Sequence, residues 1–192
     1  MPGKRPSIDV PIRRELDPDS LETLSKEAAD AAEEAGYLDG NRAYRDLRNW
    51  DWPMVRTAIG MEEELIARFM ASTDPATEEQ RFDDERIELI EPEEDLWGLD
   101  VGVASAVLAI SALGGAPVSS CNGGVFGSRH QASHPYVTFY LPKAAARTVL
   151  DLAEAADVGL IVISGTAQVY ANDERGLLRF ARLAWARHAR PS

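Results

Sequence analysis

The sequence predicts an α+β fold in which a mixed sheet of about five strands is packed with helices and preceded by an N-terminal helical part. Three observations lead to this prediction. Apolar residues recur at helical spacing through residues 17–73. Residues 77–95 then hold ten acidic side chains, which indicates a solvated boundary. From residue 96 the patterns follow the order helix, hairpin, strand, helix, strand, strand, helix, which is typical of helices packed on a mixed sheet.

These patterns divide the chain into four parts. Residues 1–16 carry three prolines and are expected to form an extended arm. Residues 17–73 form the helical part, residues 74–95 an acidic connector, and residues 96–192 the α+β domain that holds the candidate site. A chain of 192 residues is long enough to bury a full hydrophobic core.

Two longer helices are expected in the helical part. The first begins at Asp17-Pro18, because the aspartate accepts an otherwise unpaired N–H group and proline suits the first helical position. It is expected to end at Gly36. The second begins at residues 51–53, and the helical spacing of its apolar residues predicts a core-facing side. That side is formed by Met54, Ala58, Met61, Leu65 and Phe69, joined by Val55, Ile59 and Ile66.

A short helix is expected between them, at residues 41–49. It carries Arg42, Arg45 and Arg48, which are three residues apart and would lie on one side. This basic patch has two interpretations: charge pairing with the neighbouring glutamate-rich helix, and a site for an anion or phosphate group.

The α+β domain is expected to begin with a largely buried helix at residues 99–113. A hairpin with strands at 117–121 and 124–126 follows, because Asn122-Gly123 is the dipeptide that a type I′ turn requires. The remaining expected elements are strands at 136–141, 158–164 and 166–170, and helices at 142–156 and from 172 onward. Within the acidic connector, residues 85–91 could supply one edge strand.

The charge and the cysteine content limit the classes of function. A net charge of −12 and a pI near 4.7 disfavour nucleic acid and membrane surfaces as partners and would suit docking to a basic protein. The single cysteine excludes an intrachain disulfide, and no apolar segment of signal-peptide length opens the chain, so we expect a cytoplasmic location. The longest apolar run, at residues 101–113, is too short to span a bilayer.

The candidate site is the stretch from Ser119 to Gly124, which holds Cys121. In one arrangement Cys121 is a nucleophile whose thiolate is stabilised by His130 or His134, while Asn122 or the glycine amides hold an oxyanion. In another arrangement the loop only binds a ligand, and its candidate groups are Ser119, Ser120, Asn122, Gly123, Gly124 and Arg129. A third interpretation makes Cys121 a small buried residue beside a turn.

Metal binding is the remaining possibility for these side chains. The spacing of Cys121, His130 and His134 permits zinc, but a second cysteine is lacking and four closely spaced ligands are the rule for structural zinc. The acidic connector lacks the spaced glycine and ligand pattern of a calcium loop. We therefore predict no metal site, and the residues identify no cofactor.

The run Ser119-Ser120-Cys121-Asn122-Gly123 resembles the Ser-Ser-Cys-Ser-Gly-Arg motif of the wybutosine-synthesising tRNA methyltransferase family, in which a strand and a helix also follow. Asn122 replaces the third serine and Gly124 the arginine, and the acidic surface disfavours tRNA. The resemblance implies that such a loop can lie at a ligand pocket.

Two functions follow from the sequence. The first is a small cytoplasmic protein with a ligand-binding or thiol-dependent catalytic site at the Cys121 tip, acting on a small molecule. The alternative is an acidic protein-interaction module, of the inhibitor or immunity type, that engages a basic protein. A pocket and a perturbed thiol would favour the first, and tolerance of Cys121→Ser the second.

Overall fold

A computed structural model describes residues 8–42, 44–48, 50–74, 86–87, 99–126, 132–173 and 175–189. These residues form five α-helices: α1 (Lys26–Ala35), α2 (Trp52–Ala71), α3 (Ala104–Ala112), α4 (Ala146–Ala156) and α5 (Gly176–His188). They also form strands β1 (Arg14–Glu15), β2 (Arg86–Ile87), β3 (Leu99–Asp100), β4 (Ala116–Cys121), β5 (Tyr136–Tyr140), β6 (Gly159–Ile163) and β7 (Thr166–Tyr170). The predicted α+β class is confirmed.

The main sheet has five strands in the order β1-β6-β7-β5-β4. Only the β1–β6 pair is parallel, and the other pairs are antiparallel, so the sheet is mixed as predicted. Strands β2 and β3 form a separate antiparallel pair. The rest of the predicted edge strand at residues 85–91 lies outside the described residues.

The core lies between one face of this sheet and helices α2 to α5. Side chains alternate along β5, so Val137 and Phe139 are fully buried in the core while Tyr136, Thr138 and Tyr140 are directed to the other face. The same core cluster includes Val55 of α2 and residues of α3, α4 and α5. We call the opposite side of the sheet its open face. Among the described residues, no helix has the length and apolar character needed to cross a bilayer.

The helix predicted from Asp17 begins later than expected. Asp17 caps only a 3-10 turn at Pro18–Ser20, and α1 begins after Ser25, whose hydroxyl accepts a hydrogen bond from the N–H of Ala28 at 3.1 Å. The intervening residues stay extended because Leu21 is buried and the Glu22 N–H donates to the Gly165 carbonyl at 2.8 Å. The predicted end at Gly36 is correct.

The short helix predicted at residues 41–49 is absent from the described part of that segment. The Tyr44 N–H donates to the Gly36 carbonyl and the Asp46 N–H to the Glu33 carboxylate, so α1 satisfies backbone groups that a helix would have paired internally. Arg48 forms an ion pair with Asp46 at 2.5 Å, within its own segment.

The predicted hairpin at Asn122-Gly123 is also wrong. Strand β4 pairs with β5 instead, with Cys121 opposite Tyr136, and residues 123–126 form a turn. The reason is tertiary, because Phe126 is buried with its ring edge-on to Phe69, 5.2 Å between centroids. This contact draws the chain away from β4 before it can form a second strand.

Three helix starts in the α+β domain differ from prediction by a few residues. Helix α4 begins at Ala146 rather than at 142, because Lys143–Ala145 form a 3-10 turn. Helix α3 begins at Ala104 rather than near residue 99, because Leu99–Asp100 pairs as strand β3. Helix α5 begins at Gly176, since the Asp173 carboxylate accepts the Arg175 N–H and pairs with Arg179 rather than capping the helix directly.

Glu62 of α2 is the fully buried acid of the core, with 0 % of its surface exposed. Its carboxyl accepts hydrogen bonds from the N–H groups of Gly102 (2.8 Å), Ala104 (2.9 Å) and Ser105 (3.3 Å), and from the Ser105 hydroxyl. These donors are the unpaired groups at the start of α3, which has no capping side chain of its own. Glu62 therefore caps a helix from another helix.

Replacing Glu62 is expected to destabilise the fold. Glu62→Ala leaves three buried N–H groups without acceptors and opens a cavity, so the free energy of unfolding should fall by about 3 kcal/mol or more. Glu62→Gln retains one acceptor oxygen and should cost less. Urea unfolding of the three proteins measures this, and a loss below about 0.5 kcal/mol in Glu62→Ala would contradict the capping role.

The same residue predicts a pH dependence of stability. Burial raises the Glu62 pKa from 4.5 to about 7 against the opposing effect of its hydrogen bonds. Between these values the folded state keeps a proton that the unfolded state has lost, so stability should fall as the pH rises through this window, by roughly 3 kcal/mol, and level off above it. Urea unfolding across the window should show this decline in the natural protein, and Glu62→Gln should lack it. Equal slopes in the two proteins would refute the assignment.

Candidate functional site

The open face of the sheet carries a row of polar side chains across three strands. Thr138 of β5 lies in register with Ser119 of β4 on one side and Gln168 of β7 on the other. The Gln168 side-chain amide donates to the Thr138 hydroxyl at 3.0 Å. Because successive residues of a strand point to opposite faces, Tyr136 and Tyr140 flank this row on the same side.

A groove of about 410 Å³ lies over this row, within the size range of small-molecule sites. Residues of strands β4 to β7 and of the β6–β7 turn form its floor. Glu22 and Asp39 belong to the described residues that precede α2, which we call the N-terminal segment. The residues that line it are Glu22, Asp39, Val118, Ser119, Tyr136, Thr138, Tyr140, Ile163, Ser164, Thr166 and Gln168.

The N-terminal segment is held beside the groove by three contacts with the sheet. The Glu22 N–H donates to the Gly165 carbonyl at 2.8 Å. The Tyr140 hydroxyl donates to the Asp39 carboxylate at 2.6 Å, and the Asn41 side-chain amide donates to the Val118 carbonyl at 2.6 Å. These contacts come from the β6–β7 turn, the end of β5 and the middle of β4, so this wall of the groove is held at three separate points.

The lining is polar and carries negative charge. Six of its residues have hydroxyl groups, one is an amide, two are carboxylates, and none is lysine, arginine or histidine. Burial, followed by the hydrogen bond to Asp39, raises the Tyr140 pKa to about 12. Tyr140 is therefore a neutral hydroxyl at physiological pH.

The predicted site residues on β4 are divided between the two faces of the sheet. Ser119 lines the groove. Cys121 is half-buried and lies in register with Tyr136 at the end of the open face. Ser120 is opposite the core residue Val137, so its side chain is directed to the helix side.

The turn after Cys121 uses its polar groups internally. Asn122 is 8 % exposed, and its side chain donates to the Val101 carbonyl at 3.3 Å and accepts the Gly124 N–H at 3.0 Å. The Gly123 N–H donates to the Cys121 sulfur at 3.3 Å. The amides predicted to hold an oxyanion thus have acceptors within the turn.

His134 lies at the same end of the open face. Its ring is edge-on to Tyr136 and Tyr170, with centroids 6.5 Å and 5.4 Å away, and one ring nitrogen lies 3.1 Å from the Ser133 hydroxyl. Burial lowers the His134 pKa, which favours the neutral ring. Arg129 and His130 lie outside the described residues, so the pairing of Cys121 with His130 stays a prediction.

No group of three metal-ligating side chains occurs within the parts of the chain that the structure describes.

The groove itself was not predicted from the sequence. The alternation of Tyr136, Thr138 and Tyr140 was a usable signal, because it places three polar side chains on one sheet face. Nothing local could have indicated Asp39 or Glu22, which reach the groove only through the path of the N-terminal segment.

Comparison of the chain with protein-family models, with curated proteins and with solved structures finds no match. The resemblance to the wybutosine-synthesising family therefore stays a local one, carried by the five residues from Ser119 to Gly123.

The position of His134 predicts that replacing Gly123 destabilises the fold more than replacing a glycine with open space around it. Gly123 has a φ of +68°, and a Cβ there would lie 2.3 Å from the His134 carbonyl carbon. Gly114 also has a positive φ, +90°, but open space around it. Gly114→Ala should cost about 1 kcal/mol from backbone strain alone, and Gly123→Ala at least about 1 kcal/mol more. Urea unfolding of both variants checks this, and equal losses would show that His134 does not pack on the turn.

Proposed function

We propose that this protein binds a small polar organic molecule in the groove on the open face of its sheet. The observation that carries the proposal is a 410 Å³ groove lined by six hydroxyl groups, an amide and two carboxylates. The N-terminal segment returns beside the sheet and forms one wall of a partly open polar space.

The groups in the groove suit the recognition of such a molecule. Ser119, Thr138 and Gln168 form a continuous floor of donors and acceptors, and Gln168 and Thr138 are already oriented by their mutual hydrogen bond. Tyr136 and Tyr140 offer both ring surface and hydroxyl groups. Groups held in place before binding reduce the entropy that binding costs.

Cys121 takes no part in this proposal. It lies in register with Tyr136, beyond the residues that line the groove. Thiol-dependent chemistry and ligand binding therefore make different predictions for a Cys121 variant.

Filling the groove is expected to abolish binding. Spermidine, glucose and citrate are titrated separately into isotope-labelled protein, and the backbone N–H signals of Ser119, Thr138 and Gln168 are followed by NMR. We expect at least one probe to shift these signals in the natural protein. Ser119→Phe places a ring in the groove, and the edge strand β4 tolerates aromatic residues. The substitution should weaken the binding of that probe more than tenfold, which corresponds to about 1.4 kcal/mol.

Cys121→Ser serves as the matched variant on the same strand, and it should bind within about twofold of the natural protein. Absence of any shift at the groove with all three probes would refute the proposal. Loss of binding in Cys121→Ser would show that the binding site lies at the Cys121 thiol instead.

A further inference from the structure

We propose that the ligand of this groove is an organic cation, a small amine or guanidine whose positive charge lies beside the Glu22 and Asp39 carboxylates. This inference rests on the proposed function, which it narrows from polar molecules in general to one charge class. It is argued from the charge of the side chains that line the groove and from their hydrogen-bond and ion-pair partners.

Neither groove carboxylate is neutralised by the protein within the described residues. No ion pair joins Glu22 or Asp39 to a described lysine or arginine, and Asp39 instead accepts the Tyr140 hydroxyl. Some other acids of the fold are paired, as Asp46 is with Arg48 and Asp173 with Arg179. The groove thus collects negative charge without a protein counter-charge.

Both carboxylates act on one point of the groove. Asp39 touches the Tyr140 hydroxyl directly, and the negative charges of Asp39 and Glu22 both oppose ionisation of that hydroxyl. Glu22 and Asp39 are both exposed, and like charges that face the same group repel each other. A bound cation removes this repulsion.

The remaining lining suits a cation as well. The hydroxyl and amide oxygens of Ser119, Thr138 and Gln168 can accept hydrogen bonds from ammonium or guanidinium groups. The rings of Tyr136 and Tyr140 attract cations through their electron-rich faces. An anion would meet two carboxylates, no basic side chain in the lining, and a protein of net charge −12.

Three four-carbon probes that differ in charge test the inference: butane-1,4-diamine, butane-1,4-diol and butanedioate. Each is titrated into the full-length protein, with the groove N–H signals followed by NMR. We expect the diamine to bind at least about tenfold more tightly than the diol, and butanedioate to leave the groove signals unmoved.

Variants of the two carboxylates identify the source of the selectivity. Glu22→Gln and Asp39→Asn remove charge while keeping shape, and asparagine tolerates the positive φ of +46° at Asp39. Each should weaken diamine binding about three- to tenfold and lower the ratio of diamine affinity to diol affinity. Glu154→Gln removes the same charge from exposed Glu154 on α4, which packs against the other side of the sheet, and should have no effect.

The outcomes separate the two proposals. Binding of the diol or of butanedioate as tight as that of the diamine overturns the cation inference and leaves ligand binding in the groove intact. An equal effect of Glu154→Gln also overturns it, because selectivity would then come from the net charge. Failure of the diamine, the diol and butanedioate to shift any groove signal also overturns the cation inference, whereas a shift with glucose or citrate would still leave ligand binding in the groove intact.

Discussion

The arrangement of this fold depends on a single buried carboxyl group, that of Glu62. Helix α3 is buried on nearly every side, so water cannot reach the N–H groups at its start, and Glu62 supplies acceptors to three of them. The cap fixes where α2 crosses α3. It also fixes the position of Val101, whose carbonyl accepts the side chain of Asn122. The turn that ends β4, and the passage of His134 over Gly123, are thereby tied to the same point in the core.

A second constraint comes from the one-sided packing of the sheet. Helices α2 to α5 bury one face, and the other face is left to the N-terminal segment. That segment pairs with β6 through Arg14 and Glu15, receives the Tyr170 hydroxyl at the Pro11 carbonyl, and is held near the groove through Glu22 and Asp39. The space between this segment and the sheet is the groove. A binding site arises because a chain segment crosses a polar sheet face without filling it.

The open face divides into two regions with different chemistry. One region holds the hydroxyls of Ser119 and Thr138 with the Asp39 and Glu22 carboxylates, and the other holds Cys121 and a neutral His134 packed against tyrosine rings. In the turn beside the thiol, the amides of Gly123 and Gly124 already have acceptors. The polar groups that can bind a ligand are therefore concentrated in the groove region. For this reason ligand binding in the groove is better supported than thiol chemistry at the turn.

Local patterns in the sequence predict strands β5, β6 and β7, helix α2, the end of helix α4 and the α+β class, because alternation and helical periodicity are local properties of the chain. Such patterns do not predict the start of α1, the pairing of β4 with β5, or the path of the described residues 41–42 and 44–48, because in each case a distant partner takes up a backbone group or a ring. Gly165 holds Glu22 extended, Phe69 packs with Phe126, and Glu33 accepts the Asp46 N–H. Ser119 and Cys121 were recognisable as candidates from a local motif. The position of Ser119 under a groove with Glu22 and Asp39 could not be predicted in this way, because the packing of residues far apart in sequence leaves no periodic signal.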